Sequence, residues 1–130
     1  MPTGNKDQVM DDKQRILGLL GLSSRAGKVL SGFASVEAGI RKGEIKLLIL
    51  SEDISANTLG KLLDIAAKTG SDLPDAYSFA SSYELGCAIG KPARAVAGIT
   101  DEGFASGLEA MLQSYDKENE TDQHTEDTDQ

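Results

Sequence analysis

Apolar residues occur in regular blocks between Lys13 and Leu112, separated by polar and glycine-rich stretches. Some blocks have the three- and four-residue spacing of an amphipathic helix, and others are short runs of strand length. The predicted elements are, in order, a helix over Lys13–Ser23, a short strand over Lys28–Leu30, a helix over Phe33–Lys42, a strand over Lys46–Leu50, a helix over Asn57–Thr69, a strand over Leu73–Phe79, a helix over Ser81–Ile89, a strand over Arg94–Thr100 and a helix over Asp101–Leu112. This alternation predicts an α/β fold, a central sheet with helices on both faces.

Local signals refine these elements. The run Lys46–Leu50 is almost entirely apolar, which is typical of a central strand covered on both faces. Gly43 suits a helix C-cap, and Ser81 followed by Glu84 matches a capping box. Pro74 restricts its strand to a start or an edge position. In the third helix, Asn57 is the expected N-cap, and one broad apolar face is expected from Leu59, Leu62, Leu63, Ile65 and Ala66.

The negative charge of the chain is concentrated at its ends. The net charge is −8; residues 1–12 carry −2, residues 114–130 carry −6, and residues 13–113 are neutral. Both ends are poor in aliphatic residues and cannot bury enough surface to offset the entropy of ordering, so both are predicted to be disordered. The predicted organisation is a single folded domain over residues 13–113, with an N-terminal extension and an acidic tail.

The sequence offers no set of residues for catalysis. Cys87 is the only cysteine, and its place in a short amphipathic helix favours buried packing. His124 is the only histidine and lies in the acidic tail, so a Ser–His or Cys–His couple inside the domain is excluded. The segment Gly21–Lys28 departs from a phosphate-binding loop in spacing, in the residue after the lysine and in its helical context. We therefore expect no enzyme, no cofactor, no metal site and no small-molecule substrate.

No apolar run reaches the length of a membrane span, and the N-terminus lacks the apolar core of a signal peptide. We therefore expect a cytoplasmic protein.

Basic residues gather in the first half of the neutral domain. The stretch from Arg25 to Lys46 has a net charge of +3. In a helix from Phe33, one stripe holds Ala34, Ser35, Ala38 and Lys42, small residues followed by a cation. Lysines and arginines near an exposed helix start are what a phosphate-binding surface needs, although ordinary solvated charges explain the same composition.

Four segments together resemble the kink-turn RNA-binding ribosomal protein superfamily, in particular its small bacterial members, the YlxQ-type proteins. The segments are KVLSG at residues 28–32, SEDISANT at 51–58, LGCAIGK at 85–91 and DEGFA at 101–105. The likeness covers about Ile16 to Leu108. It implies a three-layer α/β/α sandwich with a central mixed four-stranded sheet, and RNA binding without catalysis.

The superfamily's RNA-binding signature is glycine, any residue, Asn-Glu, two residues and lysine. Gly32 matches the glycine, but Ala34 and Ser35 stand in place of Asn-Glu, and Ala38 stands in place of the lysine. The side chains for base-edge contacts are absent, so recognition of phosphate and RNA shape is expected instead. The candidate RNA-binding residues are Arg25, Lys28, Gly32, Phe33, Ala34, Ser35, Lys42, Lys91 and Arg94.

Two functions remain open on this basis. In the first, a monomer binds structured RNA, with ribosomal RNA as the expected partner; its affinity falls steeply with salt, and Lys28→Ala or Lys42→Ala weakens that fall. In the second, the scaffold serves as a protein-interaction module that has lost specific RNA binding. The acidic tail has two interpretations as well: a solubilising extension, or a segment that folds over the basic surface and competes with RNA.

Overall fold

The computed structural model describes residues 2–69 and 74–129, with side chains for residues 12–69 and 74–116. Within these residues the chain forms five helices and four strands in the predicted order. They are α1 (Pro2–Arg25), β1 (Val29–Ser31), α2 (Phe33–Lys42), β2 (Leu47–Leu50), α3 (Ala56–Thr69), β3 (Asp75–Ser78), α4 (Ser82–Ala88), β4 (Val96–Ile99) and α5 (Glu102–Asp129).

The four strands form one mixed sheet in the order β1-β4-β2-β3. β4 runs antiparallel to both of its neighbours, whereas β2 and β3 are parallel. The almost wholly apolar β2 lies inside the sheet, as predicted, and β3 lies at an edge with Pro74 just before it. The predicted mixed four-stranded sheet is confirmed.

Alternate side chains of the central strands point to opposite faces of the sheet and build two separate cores. Leu47 and Ile49 pack in a cluster with residues of α1, α4 and α5. Leu48 packs in the other cluster with residues of α2 and α3. The sheet is therefore the middle layer of an α/β/α sandwich, which confirms the predicted fold class.

Two of the predicted helix ends are confirmed. Ser81 and Glu84 form a complete capping box at the start of α4, and Gly43 ends α2 in the left-handed conformation at φ 71°. The Glu84 carboxylate accepts a hydrogen bond from the backbone of Ser81 and also pairs with Lys13 at 2.9 Å. The Ser81 backbone first, and then Lys13, lower the pKa of Glu84. This contact attaches α4 to α1.

Three local predictions are wrong. Ser55, and not Asn57, caps α3, because its hydroxyl accepts from the Thr58 amide at 3.1 Å. The apolar face of α3 is narrower than expected, since Leu59 and Leu63 are 36% and 58% exposed while Leu62 and Ile65 are buried. Cys87 is exposed, because Leu85 and Gly86 occupy the inward side of this short helix and the next position turns outward.

The terminal helices extend beyond the predicted domain limits. Tyr115, which the prediction assigned to the tail, packs edge-on against Phe79 with ring centroids 5.4 Å apart, so the packed unit includes it. Residues 1–12 and 114–130 were predicted to be disordered, and most of their side chains lie outside the described residues, so this stays a prediction. The side chain of His124 lies outside the described residues as well. No helix in the described ranges is long and apolar enough to cross a membrane.

Candidate nucleic-acid interface

The junction between β1 and α2 is an open helix start. Gly32 occupies the N-cap position at φ 87° and ψ 154°, a backbone conformation that glycine tolerates best, and it offers no side chain to the first-turn amides. Those amides have no intrahelical acceptor and lie at the positive end of the helix dipole. By contrast, side chains of Ser55, Ser81 and Asp101 cap α3, α4 and α5. The start of α2 is thus available to an anionic ligand.

Arg94 lies over this helix start. The Gly32 amide donates to the carbonyl of Val96 at 3.0 Å, which brings the segment before β4 alongside the junction. The Arg94 guanidinium donates from Nε to Ser31 Oγ at 3.3 Å and from Nη1 to the carbonyls of Pro92 and Ala93 at 3.4 and 3.2 Å. A Cβ built on Gly32 would lie 3.9 Å from Arg94 Nε. The guanidinium is therefore held beside the helix start before any ligand arrives.

Beside Arg94, the first turn of α2 is exposed and carries two short side chains. Ala34 and Ser35 are both exposed, so nothing bulky on α2 itself blocks access to the first-turn amides. Phe33 is half-buried, and Lys61 of α3 holds its Nζ 5.7 Å from the centre of the phenyl ring. Lys61 was not among the residues predicted from the sequence. We call the group Gly32, Phe33, Ala34, Ser35, Lys61 and Arg94 the α2 surface.

An acidic side chain limits this surface on one side. Asp53, in the loop after β2, accepts hydrogen bonds at 2.9 Å from both the amide and the hydroxyl of Ser82. The hydroxyl of Ser51 first, and then that of Ser82, hold the pKa of Asp53 below its ordinary value. Ser51 Oγ is buried without a hydrogen bond of ordinary geometry among the described residues, so the two bonds to Ser82 fix the carboxylate. The Ser82 carbonyl accepts from the Arg94 amide, so an anionic ligand must approach from the side away from Asp53.

The structure separates three predicted residues, Arg25, Lys28 and Lys42, from the α2 surface. Lys28 pairs through its carbonyl with Thr100 at one end of β4, whereas Gly32 pairs with Val96 at the other, about 13 Å away along the strand. Lys42 ends the ten-residue α2, about 14 Å from its start. Arg25 ends α1, just before the turn into β1. We call these three residues the far cluster.

Lys91 lies in the turn before β4 that also carries Arg94. Its amide donates to the Gly86 carbonyl at 2.8 Å, midway along α4, and its side chain is exposed three residues before Arg94. Across the part of the chain with described side chains, no three His, Cys, Asp or Glu residues come together in a way that would hold a metal ion.

These features define a class of protein: a small α/β/α sandwich that presents an open helix start and a fixed arginine to an anionic ligand. The chain belongs to the Ribosomal protein L7Ae/L30e/S12e/Gadd45 family, whose model matches residues 14–109. The matched region includes every candidate residue predicted from the sequence, and the resemblance noted there is confirmed.

Individual relatives agree with this assignment. The chain is 43% identical over 94 residues to the RNA-binding protein YlxQ of Bacillus subtilis (strain 168), covering 72% of this chain and 91% of that protein. It is 33% identical over 102 residues to the RNA-binding protein YlxQ of Enterococcus faecium, covering 78% of this chain and 95% of that protein.

Two solved structures share the fold. A Bacillus halodurans protein of unknown function superposes with a TM-score of 0.67 at 36% identity, covering 75% of this chain and 96% of that one. A Giardia lamblia 15.5kD RNA binding protein superposes with a TM-score of 0.63 at 15% identity, covering 80% of this chain and 87% of that one. At this low identity, the Giardia lamblia likeness concerns the fold alone.

Proposed function

We propose that this chain is a non-catalytic RNA-binding protein of the cytoplasm that binds structured RNA, with ribosomal RNA as the partner. The observation that carries the proposal is the Arg94 guanidinium, held by Ser31 beside the uncapped start of α2. The RNA-binding relatives support the choice of RNA among anionic ligands. The first-turn amides and Arg94 bind phosphates, and the turn before β4 lies along the RNA backbone.

The proposal includes a mode of recognition. The positions at which the superfamily signature has Asn-Glu and lysine hold Ala34, Ser35 and Ala38, all exposed. Short side chains cannot make bidentate contacts with base edges, and such contacts supply direct sequence recognition. Affinity therefore comes from phosphate contacts and from the fit of the RNA to the short, exposed side chains of α2. The protein does not distinguish kink-turns from other structured RNAs by contacts with their base pairs.

The proposal predicts that Lys91 contributes more to RNA binding than Lys28 or Lys42. With a short bulged RNA hairpin as the probe, Lys91→Ala should weaken binding severalfold and lower the slope of log affinity against log salt by about one, because one phosphate contact is lost. Lys28→Ala and Lys42→Ala serve as matched controls from the far cluster and should change affinity less. The measurement is fluorescence anisotropy over a salt series. If the affinity of the wild-type protein for the hairpin does not change with salt concentration, the proposal is contradicted and a protein-interaction module is favoured instead.

We also propose that the acidic tail competes with RNA. Tyr115 of α5 packs on Phe79, whose amide donates to Leu50 at the end of β2, and Leu50 is the partner of Val96 beside Gly32. Tyr115, which directly precedes Asp116 and the acidic tail, therefore lies at the same end of the sheet as the α2 surface. Residues 117–130 hold one lysine against six acidic residues, a net charge of −5.

Deleting residues 117–130 should strengthen binding of the hairpin severalfold at low salt and leave it unchanged at high salt, where charges more than one Debye length apart are screened. The deletion starts after Asp116 so that Tyr115 keeps its contact with Phe79. A full-length variant with the six acids replaced by Asn and Gln separates the effect of charge from that of length, and it should behave like the deletion. Equal affinities of all three proteins at low salt would leave the tail as a solubilising extension.

A further inference from the structure

Asp53 joins the loop after β2 to the start of α4. Its Oδ1 accepts from the Ser82 amide and its Oδ2 accepts from the Ser82 hydroxyl, each at 2.9 Å. The Ser82 amide belongs to the first turn of α4, where a backbone donor has no intrahelical acceptor. The Ser81 side chain accepts the amide of Glu84 in the same turn and leaves that of Ser82 without a partner from the capping box. Asp53 therefore completes the start of α4 from a distant part of the chain.

The same serine holds the turn that carries Arg94. The Ser82 carbonyl accepts the Arg94 amide at 2.9 Å, and the Gly86 carbonyl accepts the Lys91 amide at 2.8 Å. Pro92, between these two donors, has no amide hydrogen. Among the described residues, these two backbone bonds attach the turn to α4. The position of Ser82 therefore determines where the backbone of Arg94 lies.

The chain enters α4 through a strained residue. Ala80 has a φ of 64°, and among the described residues it is the non-glycine residue with a positive φ. This left-handed conformation costs free energy for a residue with a Cβ, so it persists only where the surrounding contacts impose it. The Glu52 amide donates to the Ala80 carbonyl at 2.7 Å, and Asp53 holds Ser82 just beyond. The loop after β2 thus imposes the path of the chain into α4.

We propose that Asp53 is a positioning residue for RNA binding: by holding Ser82 through two hydrogen bonds, it places the Arg94 guanidinium beside the start of α2. This inference rests on the proposed function, and it assigns two opposing effects to one carboxylate. The negative charge of Asp53 weakens the binding of phosphate. Its hydrogen bonds strengthen the same binding, because an arginine that is already in place loses less entropy when a phosphate arrives.

Asp53→Asn and Asp53→Ala separate these two effects, because both remove the charge and only asparagine keeps the hydrogen bonds. The amide oxygen of asparagine accepts from the Ser82 amide, and its amino group donates to the Ser82 hydroxyl oxygen. Asp53→Asn should bind the bulged hairpin as tightly as wild type, or up to about twofold more tightly. Asp53→Ala should bind about fivefold less tightly. An equal gain of affinity in both variants would overturn the positioning role and leave only the effect of charge.

A double-mutant cycle connects the loss to Arg94. In an Arg94→Ala background, Asp53→Ala should no longer weaken binding, because no guanidinium remains to be placed. Glu52→Ala is the matched control: it removes the neighbouring exposed carboxylate, which makes no hydrogen bond among the described residues, and it should not weaken binding in either background. Anisotropy titrations below the melting temperature of every variant measure the cycle. A loss of the same size in both backgrounds would overturn the proposal, since general destabilisation would then explain it.

Amide hydrogen exchange tests the placement of Arg94 without RNA. The Arg94 amide donates to the Ser82 carbonyl, so it should exchange severalfold faster in Asp53→Ala than in wild type or Asp53→Asn. The amides of the central strand β4 should keep their rates. Unchanged exchange at Arg94 would overturn the proposal. If wild type binds no hairpin at any salt concentration, the proposed function fails, whereas faster exchange at Arg94 would still support its placement by Asp53.

Discussion

Replacing Arg94 by glutamate is expected to weaken binding of the bulged hairpin by about a hundredfold, the largest effect of any single substitution on the α2 surface. A hydrogen bond from a charged donor contributes on the order of a tenfold to hundredfold gain in affinity. Arg94→Ala removes that bond and should cost about tenfold. The glutamate adds a negative charge beside the open helix start, where it repels the phosphate and competes for the first-turn amides.

The geometry of Arg94 explains why the effect should be large. Its bonds to Ser31, Pro92 and Ala93 use Nε and Nη1, and the donors of Nη2 have no acceptor among the described residues. The side chain is half-buried and already held, so little rotamer entropy is lost when a phosphate binds. Arg94→Lys keeps the charge but loses the planar fork, and it should fall between wild type and alanine.

Arg41→Ala and Lys68→Glu are the matched controls for these substitutions. Arg41 is an exposed arginine near the other end of α2, where it pairs with Glu37 at 2.8 Å, and Lys68 is exposed near the end of α3. Both variants alter the net charge of the protein at positions outside the α2 surface. Each should therefore change RNA affinity less than twofold beyond what the change in net charge causes by itself. Anisotropy titrations at one fixed salt concentration compare all of them. Equal affinity of Arg94→Glu and wild type would refute this placement of the interface.

Much of the fold could be predicted from the sequence because its signals are local. Phe33–Lys42 is bounded by glycines on both sides, and α2 has those limits in the structure. The capping box at Ser81 needs only a serine and a glutamate three residues apart. Cys87 and Leu63 were misjudged because their burial depends on which neighbour covers each face of a helix. A seven-residue α4 buries a narrow stripe, and α3 covers the sheet with only part of its apolar face.

The site was predicted less completely, for a reason of geometry. Lys28 and Gly32 are four residues apart in sequence, and in an extended strand that distance places them at opposite ends. Lys42 shares a helix with Ser35, but it lies at the other end of that helix. Conversely, Lys61 reaches Phe33 from a helix that begins after β2, and no spacing rule connects the two. The resemblance located Gly32 and the turn before β4, since those positions depend on topology that relatives share.

The turn that carries Lys91 and Arg94 packs against α4. A Cβ built on Gly86 would overlap the carbonyl group of Pro92 and lie 2.8 Å from the carbonyl oxygen of Lys91. The Gly86 carbonyl also accepts the Lys91 amide at 2.8 Å. Glycine at this position therefore allows the turn to pack directly against α4. The distance between the turn and α4 determines where the Arg94 guanidinium lies when it donates to Ser31.

Gly86→Ala is accordingly expected to destabilise the protein by about 3 kcal/mol, because the added methyl group meets backbone, which cannot rotate away as a side chain can. For a domain of this size, the melting temperature should fall by about 15 °C. Gly60→Ala is the matched control: it is exposed in the interior of α3, its Cβ would have no neighbour within 4 Å, and it should raise stability by about 0.5–1 kcal/mol. Thermal and urea unfolding, followed by circular dichroism, measure both.

The same substitution tests whether stability and binding are linked through this turn. Gly86→Ala protein that remains folded at low temperature must lift the backbone at Lys91 and Pro92 away from α4, and the Arg94 bond to Ser31 should lengthen or break as a result. RNA affinity should then fall severalfold in molecules that are still folded, and adding Arg94→Ala should cost less in this background than in wild type. Additive effects of the two substitutions, or unchanged affinity of folded Gly86→Ala protein, would show that Arg94 is positioned without the support of α4.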